Sequence, residues 1–396
     1  MKYQSGFLRR YSRHFSALIA ACLATSALQI QARTAPIPIV VAASPTHACA
    51  VKSDGTVWCW GDNVHHEVGD TPLSSVSLPT RVYLEGPARS VVTGVWHSCA
   101  LLNSGAVECW GNNGASELGI TPFPPTDYPT PQHIAGLAGA ATAIAAGFNH
   151  TCALVNHLGT KAVQCWGENT YWQLGTTAGY LIGTGDIANP VPQYVTAAEG
   201  ATAITAGAFF SCAMIGSPLS PTAGASVQCW GHNMLGDLGR GYTSAKQLPD
   251  KNQTVGLPGG AFALHAGPDS NFACARIQNG QLRCWGSGTP TPVAMPGMYQ
   301  VTDFAQSGWG DQCVVASGGV LCALNSGSVL LNSNPPMLMM TPILSGATAV
   351  ATGADYACAI VGAGINVKIQ CWGANQSGQL GNGTFVDSPF PVDVLL

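Results

Sequence analysis

The chain has 396 residues, of which 48 are glycine, 26 proline and 15 cysteine, and only 9% are charged. That length admits two or three ordinary domains or one large repeat architecture. Its 15 Lys and Arg are outnumbered by 19 Asp and Glu; a protein that neutralises phosphates needs clustered Lys and Arg, which argues against nucleic acid as a partner.

The N-terminus carries Lys2, Arg9, Arg10 and Arg13 ahead of the apolar run "FSALIAACLATSALQI" (15–30). A basic region followed by such a run is the design of an export signal. Ile30 and Ala32 suit the positions before a cleavage point, so residues 1–32 are expected to be removed. A competing reading takes "LIAAC" as a lipobox, with Cys22 acylated as a lipid anchor; a third is an uncleaved anchor. Without residues 1–32 the chain keeps eleven basic against nineteen acidic residues, a net of −8. No later stretch of 18 apolar residues occurs, so no transmembrane helix is expected in the mature protein. The expected location is periplasmic, cell-surface or extracellular.

Residues 33–396 read as repeats of one unit. A Pro-led extended segment comes first, as in "LPTRVYL" (78–84), "PTPQHIAGL" (129–137) and "NPVPQYV" (189–195). A small-residue strand ending in Gly follows, as in "ATAIAAG" (141–147) and "ATAITAG" (201–207). Next is a cysteine hairpin, then Cys-Trp-Gly-x-Asn, then an acid or Gln, Leu or Val, and Gly, as in Glu67-Val68-Gly69 and Gln379-Leu380-Gly381. Four short strands in about 50 residues are the signature of a propeller blade. The first unit begins at its second strand, "IVVAAS" (39–44), and the chain ends in an orphan "PFPVDVLL" (389–396). The expectation is therefore an all-β, seven-bladed propeller of four-stranded blades, with the C-terminal strand completing the first blade and removing two open edges.

Fourteen cysteines fall in seven close pairs: Cys49/Cys59, Cys99/Cys109, Cys152/Cys165, Cys212/Cys229, Cys274/Cys284, Cys313/Cys322 and Cys358/Cys371. The turn Ser53-Asp54-Gly55 sets Lys52 opposite Thr56 and Cys49 opposite Cys59, because a three-residue hairpin loop ending in Gly is a common type. Asn103-Ser104-Gly105 and Gln278-Asn279-Gly280 do the same, and the two-residue turn Ser317-Gly318 does it for Cys313 and Cys322. Four hairpins thus bring cysteines into register at disulfide distance. Structural zinc uses tighter Cys clusters, and none occurs, so one disulfide per blade and no metal are expected. Disulfides need an oxidising compartment, in agreement with export.

Trp60, Trp110, Trp166, Trp230, Trp285 and Trp372 each follow the second cysteine of their pair. Strand alternation puts Trp on the face opposite Cys, as a wedge against a neighbouring blade. The Gly after Trp suits a close bend leaving the strand, and the Asn after that is placed to cap the turn. Blade five lacks a Leu-Gly segment, and blade six has Ala323 where Trp is expected; both are expected to have short loops and a weaker mutual interface.

The combination "GFNHTCAL" (147–154) with "CWGANQSGQLG" (371–381) resembles the regulator-of-chromosome-condensation repeat family over nearly all of 39–396. The resemblance implies a seven-bladed propeller. The family's eukaryotic founder is a nuclear guanine-nucleotide exchange factor. This chain departs from it in compartment, paired cysteines and acidic charge, and no stretch matches an exchange surface well enough to carry residues over. It is more similar to secreted bacterial propellers of the family, one branch of which inhibits a β-lactamase through the propeller's loop face.

His47, His97 and His150 stand two residues before the first cysteine, where other blades have Phe210, Phe272, Asp311 and Tyr356; this interchange argues for packing rather than a metal ring. His65 and His66 read as an exposed loop pair. No nucleophile elbow, phosphate loop or zinc-protease motif appears, and the acid before Leu-Gly alternates with Gln, so its charge is not required. No catalytic residue, cofactor or enzyme activity is expected. The loops carry Phe123, Tyr128, Tyr171, Trp172, Tyr180 and Tyr242, and aromatic loop residues on a rigid scaffold point to recognition. The expected function is an exported, monomeric, non-enzymatic propeller binding a protein or envelope macromolecule through one face. The alternatives are exchange-factor-like activity and a secreted enzyme with its active site at the channel mouth.

Overall fold

The computed structural model describes residues 36–121, 126–182, 186–216, 224–295, 297–308, 311–323 and 341–396. The export segment, Cys22 and Phe123 lie outside the described residues.

Blade one consists of β1 (Pro38–Ala43), β2 (His47–Lys52), β3 (Val57–Asp62) and β4 (Ser75–Val82), hydrogen-bonded in that order and all antiparallel. Blades two to seven repeat this over 88–133, 141–194, 201–247, 263–294, 301–345 and 347–393. A two-residue edge strand, Tyr180–Leu181, widens blade three. The innermost strands are short and rich in Ala, Val and Thr because seven of them crowd one axis. The outermost strands carry the prolines ("DYPTPQH", "IANPVPQY", "SPFPVD"). Proline has no N–H to offer a ladder, so it is tolerated at an edge and blocks further pairing there.

This order corrects the expected closure. The Pro-led segment is the last strand of the preceding blade, not the first of the next. Blade one is complete without the C-terminus, and the final strand Ser388–Asp393 pairs with Lys368–Gly373 inside blade seven. No strand is exchanged; the ring shuts by side-chain packing between blades seven and one, with backbone bonds from Gly383 N to Ser77 O and from Ala354 N to Pro45 O.

All seven cysteine pairs are bridged with the expected partners: Cys49–Cys59, Cys99–Cys109, Cys152–Cys165, Cys212–Cys229, Cys274–Cys284, Cys313–Cys322 and Cys358–Cys371. Each pair stands directly opposite in its hairpin, with Cα atoms 4.0–4.1 Å apart. Gly55 has φ +81° and Lys52 N donates to Thr56 O, as the hairpin reading requires.

On its other side, the strand carrying the second cysteine departs from the expectation. Its pairing with the fourth strand slips just after Cys59, Cys109, Cys165, Cys284 and Cys371, between each cysteine and the glycine two residues on. The strand ends at that glycine, as expected, in blades five and seven but not in blades one to four. In blades one to three it runs one residue past the glycine, and the ladder absorbs the irregularity as a bulge. Gly61 shows why glycine is needed there: its φ is +111°, and a side chain would meet Thr46 O at 2.5 Å. No helix among the described residues is long and apolar enough to cross a membrane.

The core lies in seven seams, one between each pair of neighbouring blades. Trp60 packs with Tyr356, Ile360 and Leu380 of blade seven, while Cys59 on the same strand packs with Val91 and Ala100 of blade two. Wedge and staple therefore face opposite seams, as strand alternation demands. Among the described residues the seam between blades five and six has no tryptophan; Met295, Met298 and Phe304, none more than 5% exposed, pack there. Methionine's flexible thioether suits an irregular gap. Blade five turns from third to fourth strand over Ser287 and Gly288 alone, as expected. Blade six does not: residues 324–340 separate its last two strands, so the short-loop expectation fails there.

Candidate partner-binding face

One end of the propeller, here the tryptophan–glycine face, carries the tight turns from first to second strands and the loops after Trp-Gly. The cysteine hairpin turns form the opposite, hairpin face.

The loops are fixed by one repeated set of bonds. Asn63 Oδ1 accepts from Val68 N at 2.8 Å, and Asn113, Asn169, Asn233 and Asn375 do the same five residues on. Glu67 Oε2 accepts from His65 N, Glu117 Oε2 from Ala115 N, and Gln173 and Gln379 use their amide oxygens alike. The Glu67 carbonyl then accepts Trp110 Nε1 (2.8 Å) and Ser98 Oγ (3.1 Å) from the next blade. Since the Ser98 proton is spent on that carbonyl, the 2.9 Å contact to His47 must be donated by His47 Nε2. His97 with Thr151 and His150 with Ser211 repeat the tie at the next two seams. In blade seven Tyr356 fills the histidine position and donates to Ser44 O and His47 O. The histidines are thus seam fasteners, and among the described residues no His, Cys, Asp and Glu gather as a metal site.

Burial pushes the Glu67 and Glu117 carboxyls up to about 8 and the His47, His97 and His150 rings down to about 3. A neutral carboxyl makes the same loop bond as glutamine, which explains the interchange. The signs oppose. A raised carboxyl gives stability that is lost as pH rises through the folded value; a depressed histidine gives stability that is lost as pH falls below the unfolded one. Exchanging Glu67→Gln and Glu117→Gln together should leave the melting temperature unchanged near about pH 4 and raise it near about pH 9. Equal wild-type and variant pH profiles would contradict this.

The main feature of this face is a run of touching rings. His65 meets Trp96 at 5.9 Å, Trp96 meets Phe148 edge-on at 5.0 Å, and Phe148 stacks on Phe209 at 5.5 Å. Tyr171 continues the run to Phe209 and His232, at 5.3 and 4.9 Å. The belt spans blades one to four. Trp96, Phe148 and Phe209 belong to the tight turns that ring the mouth of a central cavity of about 230 Å³. The turns of blades three, four and five are bonded in series, Phe148 N to Ala208 O and Ala208 N to Ser270 O.

Trp96, Phe148 and Phe209 were not among the residues singled out from sequence. Their only signal is an aromatic beside the histidine position, in "VWH", "FNH" and "FFS". Of those that were, Tyr171 is central to the belt. Trp172 is half-buried, with Lys246 Nζ 4.6 Å from its ring. Its φ of +67° repeats in His66 and Ser116, while blades four and seven place Gly236 and Gly378 there. Tyr180 reaches Ser116 through its hydroxyl. Tyr128 packs against the seam of blades two and three, and Tyr242 is tied at the outer edge by Gln247 and Gln253; neither joins the belt. His65 and His66 are half-buried, and His65 faces Asp127 at 3.3 Å, so they are not an exposed pair. At the mouth, Asp269 accepts Gly308 N and Asp311 accepts Asp355 N, latching successive blades.

Two family models described as the regulator of chromosome condensation (RCC1) repeat match the chain, one at residues 39–67, 88–116 and 141–173, the other at 54–101, 104–154 and 369–396. No curated protein matches it. Among solved structures, human WBSCR16 is similar over 86% of this chain and 95% of its own, with 16% identity and a TM-score of 0.70. Prp20p of Saccharomyces cerevisiae is similar over 91% of this chain and 77% of its own, with 18% identity and a TM-score of 0.56. At these identities the likeness is one of fold.

Proposed function

Because the chain belongs to the RCC1 repeat family, whose propellers are generally binding or regulatory scaffolds, we propose that it binds another protein through its tryptophan–glycine face. The aromatic belt carries this reading. Half-exposed rings from four blades touch in one continuous strip, with the turns of Phe148 and Phe209 bonded to each other. Large rigid side chains held in place lose little freedom on binding, and aromatic anchors dominate interface energetics.

The seven disulfides fit a non-cytoplasmic environment, and export under residues 1–32 belongs to this proposal. The non-enzymatic part is supported by where the polar groups go. The seam histidines and two mouth carboxylates are occupied in holding blades together. Prp20p binds Gsp1p and histones; at this distance that likeness does not bring nucleotide exchange with it.

The test is a photoreactive residue placed at Trp96 or Tyr171 in the exported chain, with Ile365 on the hairpin face as control. The reading expects one specific protein adduct from the belt positions and none from Ile365. Adducts from Ile365 alone would overturn it.

A further inference from the structure

The tryptophan–glycine face has a charge sign as well as an aromatic surface. Beside the belt stand Asp62, Asp127 and Asp186, and across the mouth and on blade seven stand Asp355 and Asp387, each on a first turn, a Trp-Gly loop or the strand end beside it. The turns around the mouth divide accordingly. Blades two to four present Trp96, Phe148 and Phe209; blades five to seven place Asp269, Asp311 and Asp355 there, with Asp311 buried and Asp269 and Asp355 half-buried. Positive charge is elsewhere. Lys52, Arg89, Lys161, Arg276 and Lys368 all lie at hairpin ends or strand starts on the opposite face.

Among the described residues only Arg240 and Lys246 are cations on the tryptophan–glycine side. Both are engaged. Arg240 donates to Gln247, Gln253 and the Cys229 carbonyl at the outer edge. Lys246 Nζ donates to Thr170 O at 2.9 Å while lying over the Trp172 ring. That last contact is an internal instance of what this surface does to a cation: an aromatic face attracts it and a backbone oxygen accepts its hydrogen bond.

We infer that the occupant of this face is a lysine- or arginine-bearing segment of a partner protein, its cationic groups set over the belt and toward Asp62 beside it and Asp355 across the mouth. The inference rests on the reading that this face binds a protein, and adds the sign of the partner. Aromatic rings attract cations through their quadrupole, carboxylates add charge-assisted hydrogen bonds, and a face of one sign steers an oppositely charged partner at low salt. Single-stranded nucleic acid also stacks on aromatic strips, but it requires a positive groove, and the sign here is wrong. An acidic partner would meet like charge on every side of the belt.

The probe is a displayed library of random peptides, selected on the immobilised full-length disulfide-bonded chain at low and at physiological ionic strength. The expected winners are enriched in Lys and Arg and bind more weakly as salt rises. Their affinity should fall about fivefold or more in Trp96→Ala and also in the double variant Asp62→Asn, Asp355→Asn, chosen because asparagine tolerates the φ of +59° at Asp355. An intact mass that accounts for all seven bridges, with an unchanged melting temperature, shows that these variants still fold. Winners without charge bias, or enriched in Asp and Glu, overturn the inference while leaving the face a binding face if Trp96→Ala still weakens them. Basic winners indifferent to both variants bind elsewhere and overturn it, as does a library yielding no winners.

Discussion

Replacing Trp60 by alanine should lower the unfolding free energy by about 3–5 kcal/mol, the range for emptying a fully buried large aromatic site. The ring closes at this residue. With no strand shared between first and last blades, the seam rests on side-chain packing and on loop backbone bonds such as Gly383 N to Ser77 O. Trp60 is fully buried against Ile360, Ile369 and Leu380, and its Nε1 donates to Gln379 O at 2.8 Å. Alanine leaves both a cavity and a buried carbonyl with a partner removed. Trp58, two residues earlier, is the internal control: it is only half-buried, and its Nε1 bonds Thr56 in the same hairpin. Trp58→Ala should cost about 1 kcal/mol or less, as for a surface substitution. Chemical denaturation of both variants, with disulfides intact, checks the pair. A loss at Trp60 no larger than at Trp58 would place the closure elsewhere.

Much of this architecture was legible because it is local. Asp54-Gly55 dictates a hairpin, the hairpin dictates that Cys49 faces Cys59, and alternation then throws Trp60 to the other side. The Asn-to-Leu cap spans five residues and needs no tertiary information. The blade boundary was not legible for a physical reason. A repeat fixes the unit but not where it is cut, and "LPTRVYL" sits equally well before one hairpin or after another. Only non-local pairing decides, and it joins Val57 to Val82 within blade one. The same fourth strand places the bulge after Cys59, which is why the local reading took Gly61 for a strand end. Blade six misled differently: it has Ala323 in place of the wedge, and its seam with blade five is packed by Met295 and Met298, which no register relates to the tryptophan position.

The candidate site was half legible. Tyr171 and Trp172 lie in a loop long enough to attract notice. Trp96, Phe148 and Phe209 lie in turns of two or three residues, where a single aromatic reads as packing. They meet only because the ring brings turns more than 50 residues apart to one mouth. His65 and His66 looked exposed for the converse reason, since the neighbouring blade's Asp127 and Trp96 that cover them are not local.

The belt is the claim on which the functional account stands. For the partner captured through the face, Phe148→Ala should weaken binding by about 2 kcal/mol or more, roughly thirtyfold, as expected of an anchor at the centre of an interface. Phe148 sits mid-strip, so its removal also frees the flanking Trp96 and Phe209 rings to move. Because it is only partly buried, folding should survive the change. Surface biosensor affinities for wild type, Phe148→Ala and the hairpin-face control Ile365→Ala form the decisive set. The account predicts a thirtyfold loss for the first variant and none for the second; full affinity in Phe148→Ala, with loss in Ile365→Ala, would contradict it.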